Sequence, residues 1–131
     1  MRARSSKPDS LFVDMMLRMF NRVKPFLDLD AADFEREILN NEDAVIVDVR
    51  TPEEFSLNRI PGAINMDITR GDFASWVSGL DPDKTYLVYC RGGNRSIAAC
   101  TMFGSNGLRS CNLKDGLLTW EGAIEGIRNY Q

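Results

Sequence analysis

The hydrophobic positions of this chain change period several times, and each change marks an element. Leu11, Phe12, Met15, Met16, Met19 and Phe20 recur three and four residues apart, the spacing of one helix face. Asp9 or Ser10 can cap that helix. Asp14 and Arg18 interrupt the apolar part and no small-residue cleavage pattern follows, which argues against a signal peptide. The stretch is also too short to span a bilayer. Residues 1–24 therefore read as a disordered start, over 1–8, followed by a short amphipathic helix that packs on its own domain or on a second copy of the chain.

From Phe26 onward strands and helices alternate, the pattern of an α/β fold. FLDL is a short strand, and Asp30 caps a helix running to Leu39 with Phe34, Ile38 and Leu39 on one side. Ala44–Val49, AVIVDV, is a run dominated by β-branched residues, expected of a strand buried on both faces of a parallel sheet. Thr51, Pro52 and Glu54 then form a capping box with proline at the first helical position. IPGAINMD is a turn into another short strand. Phe73, Trp76, Val77 and Leu80 make a helical stripe that ends at Asp81-Pro82. TYLVY, Thr85–Tyr89, is the next strand, and Ser96–Asn106 the next helix, with Gly107 just past its end. SCNL is a last strand, and the chain from Gly116 finishes in helical material. Residues 25–131 thus read as one domain, without repeats or an internal linker.

Composition narrows the chemistry. The 131 residues are 44% hydrophobic and 27% charged, ordinary for a single globular domain. A net charge of −3 argues against a nucleic-acid partner. There is no histidine, which removes Ser-His-Asp and Cys-His catalysis and histidine metal sites together. The three cysteines contain no CxxC pair, so neither a zinc site nor a disulfide scaffold is expected. Reduced thiols suit the cytoplasm. Neither a metal nor an organic cofactor is expected.

One stretch stands out, LVYCRGGNRS, Leu87–Ser96. Cys90 ends a buried strand, where sites form in open parallel sheets. Gly92 and Gly93 let the backbone curl its N–H groups inward as an anion nest ahead of a helix N-terminus. Arg91 and Arg95 add full charges. The loop is therefore built to hold an anion on or beside the sulfur. Cys100 and Cys111 read as small core hydrophobes, and Trp76 and Trp120 as core packing.

DVRTPEEF, RIPGAINMD, VYCRGGNRS and LKDGLLTWEGA, in this order, resemble the single-domain rhodanese (thiosulfate sulfurtransferase-like) family over about residues 26 to 125. The resemblance implies an open parallel five-stranded sheet flanked by helices. It also implies that Cys90 takes a sulfane sulfur from a small anionic donor such as thiosulfate, becomes a persulfide, and passes the sulfur to a thiol or cyanide. Arg91, Gly92, Gly93 and Asn94 would supply the backbone cradle, Arg95 the anchoring cation, and Ser96 the first residue of the helix. Asp48 and Arg50 would support the loop. The chain departs from the family at Asn58-Arg59, where many relatives read Gly-His, and the resemblance implies an effect on local charge or partner choice rather than on the chemistry. Two other readings compete. A cysteine phosphatase has five residues between cysteine and arginine, and this loop has four. A non-catalytic binding module usually loses the cysteine, and this chain keeps it.

Overall fold

The computed structural model describes residues 26–128 together with Phe12 and Met15. The amphipathic helix expected near the N-terminus and its dimer contact lie outside the described residues, apart from Phe12 and Met15, which are helical and exposed.

Five strands make one parallel sheet in the order β1-β6-β5-β2-β4. They are β1 (Leu27–Leu29), β2 (Ala44–Asp48), β4 (Ile64–Asn65), β5 (Thr85–Tyr89) and β6 (Arg109–Leu113). The expected five-stranded parallel sheet is present. β5 lies at its centre and is buried along its whole length. β2 is fully buried only at Val47 and Asp48, because its outer neighbour β4 is two residues long and covers little of it.

Helices flank the sheet: α1 (Ala31–Asn40), α2 (Pro52–Leu57), α3 (Phe73–Ser78) and α4 (Asn94–Ser105). Asp30 caps α1, its carboxylate accepting from the Asp33 N–H at 2.8 Å. One core cluster gathers Val47, Val49, Phe73, Val77, Val88 and Phe103; the other gathers Phe34, Leu87, Tyr89, Cys111, Leu113 and Trp120. Trp120 meets Phe34 edge-on at 5.9 Å, and half-buried Trp76 lies between Phe73 and Phe103. Both tryptophans pack as expected.

Three expectations need correction. Leu39 is 75% exposed, since the buried stripe of α1 runs through Phe34 and Ile38 and leaves Leu39 a further 100° around the helix. Helix α4 begins at Asn94, two residues before Ser96, so Asn94 and Arg95 belong to its first turn. The C-terminal stretch is not a helix. Gly116–Thr119 is a single 3₁₀ turn, and Glu125–Gly126 forms β7, antiparallel to β3 (Asn58–Arg59). The amides of Leu117 and Leu118 are bonded to the carbonyls of Cys90 and Arg91, which draws the turn onto the loop rather than into a longer helix.

Candidate active site

Strand β5 delivers Cys90 to the carboxyl edge of the sheet, and α4 starts four residues later. Gly93 makes the turn between them with φ +102, and it is the N-cap of α4. This left-handed conformation suits glycine, and its result is local: the Gly93 amide swings back onto the sulfur. Gly93 N–H lies 3.1 Å from Cys90 Sγ, and Ser96 N–H lies 3.4 Å from it. Ser96 Oγ is 3.3 Å from the sulfur and 3.2 Å from the Gly93 carbonyl. Its hydroxyl proton can thus serve the carbonyl when the thiol is neutral, or turn to the sulfur when that atom carries charge.

The cysteine is only 1% exposed. Burial by itself would make it a core thiol, as it does Cys100 and Cys111. Those two are also free and buried, and burial pushes the Cys100 thiol up to about 12 and raises that of Cys111 as well. The amides separate the cases. No backbone N–H donates to Cys100 or Cys111 among the described residues, whereas two converge on Cys90. The amides of Arg91, Gly92, Asn94 and Arg95 have no acceptor among the described residues and belong to the same short segment. Helix α4 adds the positive end of its dipole. The segment is electropositive and under-satisfied, a state that an anion relieves.

A second wall closes the loop. Gly116, at φ +59, sits so close that a Cβ there would collide with the carbonyl oxygens of Arg91 and Cys90. The loop is held from below as well. Val49 N–H donates to the Tyr89 carbonyl at 3.1 Å, one residue before the cysteine. Arg50 lies beneath, 5.8 Å over the Tyr89 ring. Its Nη2 and Nε reach Asp48 at 2.7 to 3.1 Å. Its remaining donors take the Asn58 side-chain oxygen at 3.1 Å and the Asn58 carbonyl at 2.6 Å. Burial works against the Arg50 charge, but the hydrogen bond and charge of Asp48 outweigh it and its pKa is raised. Tyr89 is raised too, by burial first and then by Asp48, and its hydroxyl accepts from the Ile60 N–H. Asp48 and Arg50 therefore form a buried ion pair beside Tyr89, the residue before the cysteine.

Arg95, expected as the anchoring cation, has a carboxylate partner within the protein. Its guanidinium is spent on Glu54, with Nη1–Oε1 at 2.7 Å and Nη2–Oε2 at 3.0 Å. The pair ties the first turn of α4 to α2. Arg91 is the loop's uncommitted charge: its side chain has no hydrogen bond or ion pair among the described residues.

In the sequence Glu54 shows only as a cap. The cap is present, with Glu54 N–H to Thr51 Oγ and Thr51 N–H to Glu54 Oε1, both at 3.2 Å. The partnership with Arg95 spans 41 positions and leaves no local signal. That hydrogen bond pulls the Glu54 carboxyl down to about 2, against an opposing effect of burial. A depressed carboxyl contributes stability above its unfolded value of about 4.5 and loses it as pH falls through about 2. Glu54→Gln is expected to cost about 1 kcal/mol at neutral pH, or ~3–5 °C in melting temperature. The gap to the unaltered protein should narrow between pH 4.5 and pH 2, read by thermal melts across that range. A gap independent of pH would show that the pair contributes nothing through its charge.

Among the described residues no three His, Cys, Asp or Glu side chains are grouped to hold a metal ion, and no helix is long and apolar enough to cross a membrane.

A parallel α/β sheet with a cysteine at the central strand's carboxyl end, cupped by the amides of a glycine turn and a helix start, defines a class of α/β proteins with a thiol seated at a strand-to-helix turn. Within that class, the chain belongs to the rhodanese-like domain family, whose model matches residues 30–123. It is 33% identical to YtwF of Bacillus subtilis over 95 residues, 72% of this chain and 90% of that protein. It is 30% identical to a protein of Allochromatium vinosum named sulfurtransferase, over 71% of this chain and 86% of the relative. Among solved structures, a rhodanese-related protein from Thermoplasma volcanium superposes with a TM-score of 0.68 at 28% identity, covering 76% of this chain and 98% of that one.

Proposed function

We propose that the protein is a sulfurtransferase that carries a sulfane sulfur on Cys90 between an anionic donor, such as thiosulfate, and a thiol or cyanide acceptor. The Cys90 thiolate attacks the outer sulfur of thiosulfate; the new S–S bond forms as the old one breaks, and sulfite leaves with the bonding pair. The product is a persulfide anion with its charge on the terminal sulfur. An acceptor thiolate or cyanide then attacks that terminal sulfur, and the Cys90 thiolate departs. No electrons enter or leave over the cycle.

One observation carries this reading. Two amides already touch the sulfur, and four neighbouring ones lack acceptors. Donors fixed in place before the charge arrives stabilise it without reorganisation. A ring of this kind suits an anion that grows outward from Sγ by one atom. Gly92, Gly93, Asn94 and Ser96 act through the backbone in this scheme, Arg95 by anchoring the helix start to Glu54, and Asp48 and Arg50 by holding the strand ends. The name of the Allochromatium vinosum relative supports the same chemistry. The three free, buried cysteines support a reducing setting, and we place the reaction in the cytoplasm.

Intact mass spectrometry after exposure to thiosulfate tests the proposal. One added sulfur is expected, removable by cyanide with release of thiocyanate. An unchanged mass with a freshly reduced protein would instead favour a binding module on the same fold.

A further inference from the structure

Charge is divided unevenly along the chain. Residues 1–25 carry six Lys and Arg against two Asp, a net of +4. The whole chain is −3, so residues 26–131 carry −7. Nearly all of that excess lies in one place. Residues 28–43, helix α1 with its flanks, hold seven Asp and Glu against one Arg, a net of −6. Blocks of opposite charge attract wherever they meet.

An apolar hollow lies at the same place. It measures about 290 Å³ and sits between α1 and β1, at one edge of the five-stranded sheet. Leu27, Leu29 and Cys111 form apolar walls, while exposed Asp33 and half-buried Glu37 also line it. Phe12 lines it too, but that contact leaves the hollow open. Phe12 is 58% exposed, and Met15, three residues along the same helical face, is 53% exposed. Strand β1 is three residues long, which blunts it as a template for another strand. Side chains rather than backbone must cover this margin of the sheet.

We propose that this margin is the interface with a second copy of the chain, each copy laying Phe12 and Met15 of its basic N-terminal segment against the hollow and α1 of the other. The proposal is independent of the sulfur-transfer reading. Self-complementarity selects the occupant. One surface holds apolar side chains beside an unfilled apolar hollow, and a block of +4 beside a block of −6. A twofold axis satisfies both halves twice, the arrangement that closed dimers require. Other occupants match only one half. An acidic protein or an anionic membrane attracts the N-terminal segment but is repelled by α1, and a basic partner meets the reverse.

Sedimentation velocity of the full-length protein across micromolar concentrations tests the interface. A reversible monomer–dimer equilibrium is expected, weakened roughly tenfold or more by either Phe12→Asp or Met15→Asp, the loss of a central apolar anchor. Both side chains are more than half exposed in the single chain, so the melting temperature of dilute protein should not change. Salt should weaken the dimer as well, because the charged blocks meet near solvent. Carbodiimide cross-linking of an equal mixture of isotope-labelled and unlabelled protein locates the contact. Lys7 or Lys24 joined to carboxylates of residues 28–43 in peptide pairs of mixed label is the expected product. A protein that stays monomeric at every concentration overturns the proposal, as does a dimer that neither substitution weakens. Cross-links confined to pairs of a single label would seat the segment on its own domain. Monomers that co-sediment with phosphatidylglycerol vesicles would assign it to anionic lipid. Either result overturns the second-copy interface.

Discussion

Cys90→Ser should abolish sulfur transfer, lowering turnover with thiosulfate and cyanide by on the order of 10³ or more, while leaving the fold unchanged. Serine fits the cup. It fills nearly the same volume, and its oxygen can accept from Gly93 N–H and Ser96 N–H, which now serve the sulfur at 3.1 and 3.4 Å. The chemistry does not survive the exchange, because a hydroxyl is a far weaker acid than a thiol and oxygen cannot carry a stable sulfane sulfur. The melting temperature is therefore expected to stay within a few degrees, and the mass gain after thiosulfate to vanish. Turnover that persists in this variant would remove Cys90 from the nucleophile's role. A variant that unfolds would instead show that the thiol serves the core, as its 1% exposure alone would suggest.

Asp48→Ala should unfold the protein more readily than any other single change near the loop. Arg50 is 1% exposed, and among the described residues Asp48 is the carboxylate it is ion-paired with. Removing that carboxylate leaves a guanidinium sealed away from water with its charge uncompensated, which costs about 3–5 kcal/mol. For a domain of this size the melting temperature should fall by about 15 °C or more. Activity should fall even in the fraction that remains folded, because Arg50 also holds Asn58 and lies against Tyr89, the residue preceding the cysteine. Replacing both members, Asp48→Leu with Arg50→Met, should restore much of the stability. Urea denaturation of the single and double variants measures both effects. A single variant within 1 kcal/mol of wild type would mean that water reaches Arg50 and that the pair is not truly buried.

The two variants probe different kinds of information. Cys90 and its glycines were legible from a ten-residue window, because strand end, tight turn and helix start are neighbours in the chain. Glu54 was half legible: its capping box spans four residues, but its grip on Arg95 crosses from one βα unit to another. Arg95 reads as an anchoring cation, and a local window shows its charge but not the carboxylate, 41 positions away, that it bonds. Arg128 left no signal at all. It reaches the loop only because β7 pairs with β3 some 66 positions earlier, as Arg59 does with Glu125. The C-terminal stretch misread as helix shows the same limit. Leu117 and Trp120 have helical spacing, yet the backbone amides there bond across to Cys90 and Arg91.

Local residue patterns alone determined the order of the five sheet strands and the helices between them, the Thr51 and Asp30 caps, and the placement of a thiol ahead of an amide-rich turn. Those features depend on contacts among residues a few positions apart, where backbone sterics and capping bonds act directly. Tertiary structure alone decided which charges stay free. Arg50 and Arg95 are cancelled by carboxylates, while Arg91 and Arg128 are left facing one hollow. Charge pairing depends on distance in space and on burial, and the fold sets both by bringing together elements that the chain keeps far apart.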